Sequence, residues 1–229
     1  MSRLRPGSLL AGTLGVLGKD LRAEFRTRYA LSAVLVFAAA CIAVVGYVLQ
    51  GQSLNAEQAA AFLWIVVLFS SVSGLARPFV QETESGTALL LRQAARPEAV
   101  WLGKLLFNLA LTALVVALVF PLGAGFLMVE VPRPGLLAVV AALGAVSLAG
   151  CATIISAMVA GARSSGSVFA VAALPVLWPA LVFLVQATLP CLDAGRSAAL
   201  AAGPVQALVS YTGIIMVLSW VLFPYVWEE

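Results

Sequence analysis

The sequence predicts an all-α, polytopic membrane protein, and three observations lead to that fold class. Hydrophobic residues make up 62% of the 229-residue chain, and its mean hydropathy is +1.06. Charged residues make up only 10%, whereas a soluble domain carries about 25%. The chain contains several apolar runs of about 20 residues each, which is the length that a transmembrane helix requires. We expect six transmembrane helices, preceded by an amphipathic helix at the membrane interface, and a short helix in the one long polar loop.

Six apolar runs are the predicted spans, and each is nearly free of charge. A charged residue at the centre of a span costs about 2.5–3.5 kcal/mol on insertion scales, so this pattern is expected of spans. The fifth run contains Pro175 and Pro179, which either kink one helix or break it into a re-entrant segment. The predicted spans are residues 29–49, 59–76, 101–129, 135–161, 166–189 and 205–227.

The distribution of Lys and Arg predicts the orientation of these spans. With a cytoplasmic N-terminus, Arg133 and Arg196 are the only two of the 13 basic residues on the opposite side. Such a bias is typical of loops that stay in the cytoplasm. Six spans then place the C-terminus in the cytoplasm as well. We therefore divide the chain into a cytoplasmic amphipathic segment, 1–28, and a six-helix transmembrane domain, 29–229.

The N-terminal segment has the pattern of an amphipathic helix. Its apolar residues follow helical spacing and form one stripe, while its charged residues lie away from that stripe. We expect this helix to lie at the cytoplasmic interface with its basic side chains near anionic headgroups. The alternative is a soluble leader without membrane contact. The stripe consists of Leu10, Leu14, Leu17, Leu21 and Phe25.

The longest polar interruption, residues 77–104, holds four basic and three acidic residues. Good helix formers from Thr87 to Ala95 predict a short helix with an apolar side. The run Arg96-Pro97-Glu98 predicts a new helix start, because Pro fits the first turn and Glu complements the positive helix end. A short helix held between two spans could transmit a push to both of them. An ordinary solvated loop with a surface helix is the alternative.

The sequence lacks the residues that most catalytic and metal sites need. It has no histidine, which is the commonest metal ligand and the usual general base near neutral pH. Neither of its two Gly-Lys pairs is followed by Ser or Thr, so the ATP-binding phosphate loop is missing. Its three cysteines do not have metal-site spacing. We predict a non-catalytic chain that binds no metal or cofactor directly and no nucleic acid.

Small and polar residues inside the spans predict contacts between helices. In the fourth span, small residues recur every fourth position and form a ridge that lets another helix approach closely. That neighbour is either a helix of the same chain or one of a second copy. Asn108 and Gln186 are the polar residues best placed for helix–helix hydrogen bonds. The ridge consists of Ala145, Ala149, Thr153, Ala157 and Gly161.

Three stretches resemble one known family, that of CcmB, the membrane subunit of the haem-export ABC transporter of cytochrome c maturation. The first is K-D-L-R-A-E-F-R-T-R-Y-A-L, residues 19–31. The second is F-V-Q-E-T-E-S-G-T, residues 79–87, together with Gly103-Lys104. The third is A-L-P-V-L-W-P-A-L-V-F, residues 173–183. The resemblance follows the family's order over nearly the whole chain.

The resemblance implies a type-2 ABC exporter subunit in a bacterial inner membrane, working as a pair with two copies of a separate ATP-binding subunit. The complex would include a haem-handling membrane subunit and a haem chaperone, and ATP hydrolysis would release the haem-loaded chaperone. The loop helix would be the coupling helix, which docks on the ATPase, and the N-terminal helix would be the connecting helix.

The resemblance also implies which residues carry these roles. The coupling-loop positions are Glu82, Glu84, Gly86 and Thr87, and the connecting-helix positions are Asp20, Glu24, Arg26 and Arg28. We expect Glu82 and Glu84 to pair with basic residues of the ATPase, while Leu89, Leu90 and Leu91 fill an apolar cleft. The wholly apolar run 88–91 departs from the family, which tends to place an acidic or polar residue there.

Two other functions remain open at this point. One is an exporter subunit of the same type that moves a lipid, a glycan or a drug. The other is a membrane scaffold whose partners do not depend on ATP.

Overall fold

Helices account for all the regular structure in the part of the chain that the computed structural model describes, residues 8–27, 29–75, 82, 86–159 and 165–228. We number the α-helices in chain order. They are α1 (Leu9–Thr27), α2 (Tyr29–Leu49), α3 (Ala56–Leu75), α4 (Ala88–Ala94), α5 (Pro97–Phe126), α6 (Pro134–Val159), α7 (Ser165–Leu192) and α8 (Ala202–Glu228), with a short 3₁₀-helix at Ala198–Ala201 before α8.

Five of these helices, α2, α5, α6, α7 and α8, are long and apolar enough to cross a membrane. The protein is therefore a multi-pass membrane protein, as composition predicted. The predicted second span corresponds to α3, whose apolar stretch within the described residues is shorter, Ala56–Ser71. The sixth span thus stays a prediction. Pro175 and Pro179 both lie inside the continuous helix α7, so this segment is not broken into a re-entrant loop.

Local sequence signals explain where two helices begin. Asn55 and Gln58 form a capping box at the start of α3. The backbone N–H of Gln58 donates to Asn55 Oδ1 at 2.8 Å, and the backbone N–H of Asn55 donates to Gln58 Oε1 at 3.4 Å. Pro97 occupies the first turn of α5, with Glu98 beside it. This start confirms the predicted break between α4 and α5.

Helix α6 forms the centre of the bundle and packs against α5, α7 and α8. The predicted small-residue ridge lies on its buried side, where Ala145, Ala149, Thr153 and Ala157 are all buried within the single chain. Gly161 lies outside the described residues. The described part of the ridge therefore packs within the subunit.

The aromatic centre of the core is Trp64 of α3, which is fully buried. Its indole N–H donates to Thr188 Oγ1 of α7 at 2.9 Å, and its ring meets Phe120 of α5 edge-on, with centroids 5.2 Å apart. Gly144 of α6 leaves the space for this ring, since a Cβ there would lie 2.1 Å from Trp64 Cη2. One side chain thus joins four helices.

Asn108 makes the helix–helix hydrogen bond that its position predicted. Its Nδ2 donates to Thr153 Oγ1 at 3.0 Å, which links α5 to α6. Gln186, in contrast, is exposed on the surface of α7 and lines a groove between α3 and α7.

Arg133 closes the end of the bundle that lies away from α1. Its guanidinium donates to the carbonyl oxygens of Pro190, Asp193 (3.0 Å) and Arg196 (2.8 Å). Cationic donors near the C-terminus of α7 satisfy carbonyls that the helix leaves unpaired. The two basic residues predicted for this side both act in this closure, because Arg196 pairs with Glu57 at 2.7 Å.

We predict that Gly144→Ala destabilises the protein by about 1–3 kcal/mol, the usual cost of overpacking a core. The added methyl group would overlap the Trp64 ring, which is fully buried and held by its hydrogen bond to Thr188 and its contact with Phe120. Thermal unfolding of the purified protein in detergent measures the effect. Gly213→Ala is the matched control, since a Cβ at Gly213 of α8 meets no atom within 4 Å. Equal unfolding temperatures for the two variants would contradict the packing argument.

Candidate functional site

Helix α1 lies closely against the start of α5 because glycines occupy the crossing. A Cβ on Gly103 would lie 2.7 Å from the Val16 Cβ, and one on Gly12 would lie 3.0 Å from the Ala99 Cβ. The side of α1 that faces α5 therefore carries Thr13, Val16 and Asp20, which are all buried. The predicted leucine stripe points elsewhere, and its members Leu10, Leu14 and Phe25 are exposed. Leu17 and Leu21 are partly exposed. Contact of this stripe with the bilayer stays a prediction.

Four charged side chains meet beside this crossing and form what we call the charge cluster: Lys19, Asp20, Glu82 and Lys104. Lys104 Nζ lies 2.9 Å from Asp20 Oδ2 and 3.0 Å from Glu82 Oε1. Lys19 Nζ also contacts Glu82 Oε1, and it lies 3.5 Å from Asp20 Oδ1. The cluster joins α1, Glu82 of the segment before α4, and α5, and its two positive and two negative charges balance.

Because three of the four residues in the charge cluster are buried, the stability of the fold depends on their pairing. The exposed fraction is 0% for Lys104, 4% for Glu82 and 8% for Asp20, whereas the Lys19 side chain is 47% exposed. Burial lowers the pKa of Lys19, and the neighbouring Lys104 charge lowers it further, while Asp20 opposes both effects. Removing one partner of a buried pair leaves a charge without compensation, which is strongly destabilising.

Thr87 connects the charge cluster to α4. Its Oγ1 donates to Glu82 Oε2 at 2.6 Å, and its backbone N–H donates to the Glu82 carbonyl at 3.0 Å. The turn between them contains Gly86 with a φ of +66°, in the left-handed region that favours glycine. Thr87 then precedes the first residue of α4. The start of this short helix is therefore held by the charge cluster.

A group of aromatic residues holds the other side of α4. Arg92 lies over the ring of Trp227, with its Cζ 5.4 Å from the ring centroid. Leu91 packs against the buried cluster that contains Trp101, Phe223 and Trp227. We call these three aromatic residues the aromatic cluster. Helix α4 therefore lies between the charge cluster and the aromatic cluster.

The predicted coupling-loop residues have different environments. Glu82 is buried and pairs with lysines of its own chain, so in this conformation it is not presented to a partner. Leu90 is 65% exposed, whereas Leu91 faces the interior. Leu89 belongs to α4, but its side chain, like the whole of Glu84, lies outside the described residues. Contact of this loop with an ATPase therefore stays a prediction.

The predicted connecting-helix residues also separate into different roles. Asp20 joins the charge cluster. Glu24 Oε1 accepts a hydrogen bond of 2.8 Å from the Leu31 N–H, in the first turn of α2, where a carboxylate complements the positive helix end. Arg26 is exposed, and Arg28 lies outside the described residues.

Sequence reasoning did not identify Lys19 and Lys104 as site residues. A signal for Lys104 was present, because it lies within the apolar start of the third span, where a charge requires a partner. Its partners could not be read from the sequence, since Asp20 is 84 residues away and Glu82 is 22 residues away. Among the residues that the structure describes, no group of His, Cys, Asp and Glu could hold a metal ion.

We predict that Lys104→Met destabilises the protein by about 3–5 kcal/mol, the usual cost of breaking a buried ion pair. Membrane insertion is not impaired by this change, because Met is more apolar than Lys. Adding Asp20→Asn restores the charge balance, so the double variant should be more stable than Lys104→Met alone. Unfolding in detergent measures both, with Arg26→Met, an exposed position on α1, as control. A double variant less stable than Lys104→Met would contradict charge balance as the cause.

Comparison with known proteins gives two matches. The model of the family described as CcmB protein matches residues 12–227, which is nearly the whole chain. "Heme exporter protein B" of Rhodobacter capsulatus is 31% identical over 171 residues, which cover 73% of this chain and 78% of that protein. The residues matched by the family model include the whole charge cluster. Both matches agree with the resemblance found in the three sequence stretches. The chain belongs to the CcmB protein family.

Proposed function

We propose that this chain is the membrane subunit of an ABC transporter complex for haem export in cytochrome c maturation. It would transmit the motion of a separate ATPase subunit and would not hydrolyse ATP itself. The observation that carries the proposal is the position of α4, a short helix held by the charge cluster at one end and by the aromatic cluster at the side. A helix held in this way cannot move without moving its neighbours.

The exposed side of α4 is the proposed docking site for the ATPase. Leu90 and Gln93 are exposed there, and Leu90 offers an apolar side chain to a cleft of the partner. A separate ATPase is required because the chain has no phosphate loop of its own. In this proposal Glu82 holds α4 onto α1 and α5, instead of pairing with the ATPase as the sequence suggested.

The remaining partners follow from the family and from the name of the relative. We propose that a haem-handling membrane subunit and a haem chaperone belong to the complex, and that ATP hydrolysis releases the haem-loaded chaperone. The chain has no histidine to ligate haem iron, which supports a mechanical role with haem held by the partners. The membrane is the inner membrane of a bacterium, with both termini in the cytoplasm on the side of α1 and α4.

We further propose that α3 completes a set of six spans within domain 29–229, after the interfacial segment 1–28, and that two copies pair in the complex. The 20-residue length of α3 is sufficient for a span. The exposed Gln186 supports pairing, because an amide on the outer surface of a span is better satisfied by protein than by lipid. An amide both donates and accepts, so a second copy could supply the matching group.

Purification of the tagged chain from its native membrane in mild detergent tests the proposal. We expect mass spectrometry to find an ATP-binding subunit together with haem-handling proteins. An ATPase without haem-handling partners would instead indicate an exporter for a lipid, a glycan or a drug. If no ATPase is recovered under conditions that keep other membrane complexes intact, the chain is a scaffold and the proposal is wrong.

We predict that Leu90→Glu lowers the amount of co-purified ATPase at least about tenfold, the effect of losing one well-packed interface side chain. The change buries a charge in the proposed apolar contact but leaves the fold intact, since Leu90 is 65% exposed. Leu200→Glu is the matched control, because Leu200 is 60% exposed in a short helix at the opposite end of the bundle. Equal ATPase recovery with the two variants would show that α4 is not the docking site.

A further inference from the structure

The aromatic cluster connects α4 to the last turns of α8. Trp227 is buried beneath Arg92 and stacks on Phe223, with ring centroids 5.7 Å apart and an interplanar angle of 15°. Phe223 is itself fully buried. The guanidinium over an indole face is an attractive contact that strengthens as water is excluded. Arg92 therefore ties the short helix to one defined side chain of α8.

A second contact ties the same part of α8 to α5. The Trp101 indole N–H donates to Ser219 Oγ at 2.7 Å, and both residues are buried. Trp101 also meets Trp220 edge-on, with centroids 5.2 Å apart. The C-terminal part of α8 thus contacts both α4 and the helix that directly follows it.

Elsewhere α8 rests on the bundle along a narrow side. Leu208 is buried, Tyr211 donates its O–H to the Val176 carbonyl of α7, and Met216 fills the space left by Gly150 of α6. Most of its other apolar side chains are exposed: Val209, Ile214, Val217, Leu218, Val221 and Leu222. A long helix held along one narrow side can tilt as a unit when its end is displaced.

We propose that Arg92 and Trp227 are positioning residues that transmit the displacement of α4 to α8, which makes α8 the moving span of this subunit. The inference rests on the proposed function, because the ATPase must displace α4. Three features of the contact support it. It involves the last turn of α4, it reaches the end of a helix that has an exposed outer side, and it is separate from the charge cluster, which holds the start of α4 to α1 and α5.

The test uses the whole complex, purified with its ATPase, and the cell's production of c-type cytochromes. The main variant is Arg92→Met, which keeps an unbranched aliphatic stem and removes the charged guanidinium. Arg92 is half-buried in a short surface helix, so this variant should fold. We expect the complex to assemble in normal amounts and to hydrolyse ATP at the normal rate, while cytochrome maturation falls about tenfold, the effect expected from losing a desolvated cation–π contact.

Arg92→Lys should restore most of the maturation, because a lysine also places a cation over the ring. Tyr225→Ala is the matched control on α8, since Tyr225 is an aromatic residue 72% exposed near Trp227, and it should change nothing. Trp227→Phe keeps a ring for stacking on Phe223 but provides a weaker cation site, and it should give an intermediate loss.

Three outcomes would overturn the inference, and they differ from a failure of the proposed function. Normal maturation in Arg92→Met shows that the contact transmits nothing. An equal loss in Arg92→Met and Arg92→Lys shows that the cation is not what matters. A loss of maturation that only follows a loss of assembled complex shows a structural role. If the wild-type chain recovers no ATPase, the proposed function has failed, and this inference fails with it.

Discussion

The pairing of Lys104 with Asp20 and Glu82 is the interaction on which the α1 end of the structure depends. An ammonium group without exposure to water needs compensating charges nearby, and here they come from two different parts of the chain. Asp20 is on α1, and Glu82 is in the segment before α4. The need of Lys104 for compensating charges therefore joins α1, the segment before α4 and the start of α5 into one unit. Gly103 makes this geometry possible, since a larger residue would separate α1 from α5.

The interior of the bundle is held together by close packing of side chains and by hydrogen bonds between helices. Lipid tails are as apolar as leucine, so apolar burial alone gives little preference for helix contacts over lipid contacts in a membrane. Close approach and polar pairs supply that preference. Gly144 admits the Trp64 ring, whose N–H reaches Thr188, and Asn108 reaches Thr153. Helix α6, which is rich in small residues, is central for this reason.

The sequence predicted most of the architecture because hydropathy and helix-start signals act locally. Apolar runs located the spans, and Arg96-Pro97-Glu98 located the start of α5. The orientation of Glu82 could not be predicted in this way, because whether a carboxylate faces a partner or the interior depends on the lysines that the fold brings to it. The outward-facing leucine stripe of α1 was recognised from its period, but the inward side was not, since Thr13, Val16 and Asp20 have no common apolar character.

The two sides of α4 differ in the chemistry that holds them, and that difference bears on how a push would be distributed. At the charge cluster, opposite charges are in contact and largely removed from water, so separating them carries a large electrostatic cost. At the aromatic cluster, a guanidinium lies over a flat ring, and displacement across the ring costs less. A force on α4 would therefore move α1 and the start of α5 with it as one body. At the other side, the Arg92 guanidinium can pivot on the Trp227 ring without leaving it, so the contact would pass the displacement to the end of α8 while the angle between α4 and α8 changes.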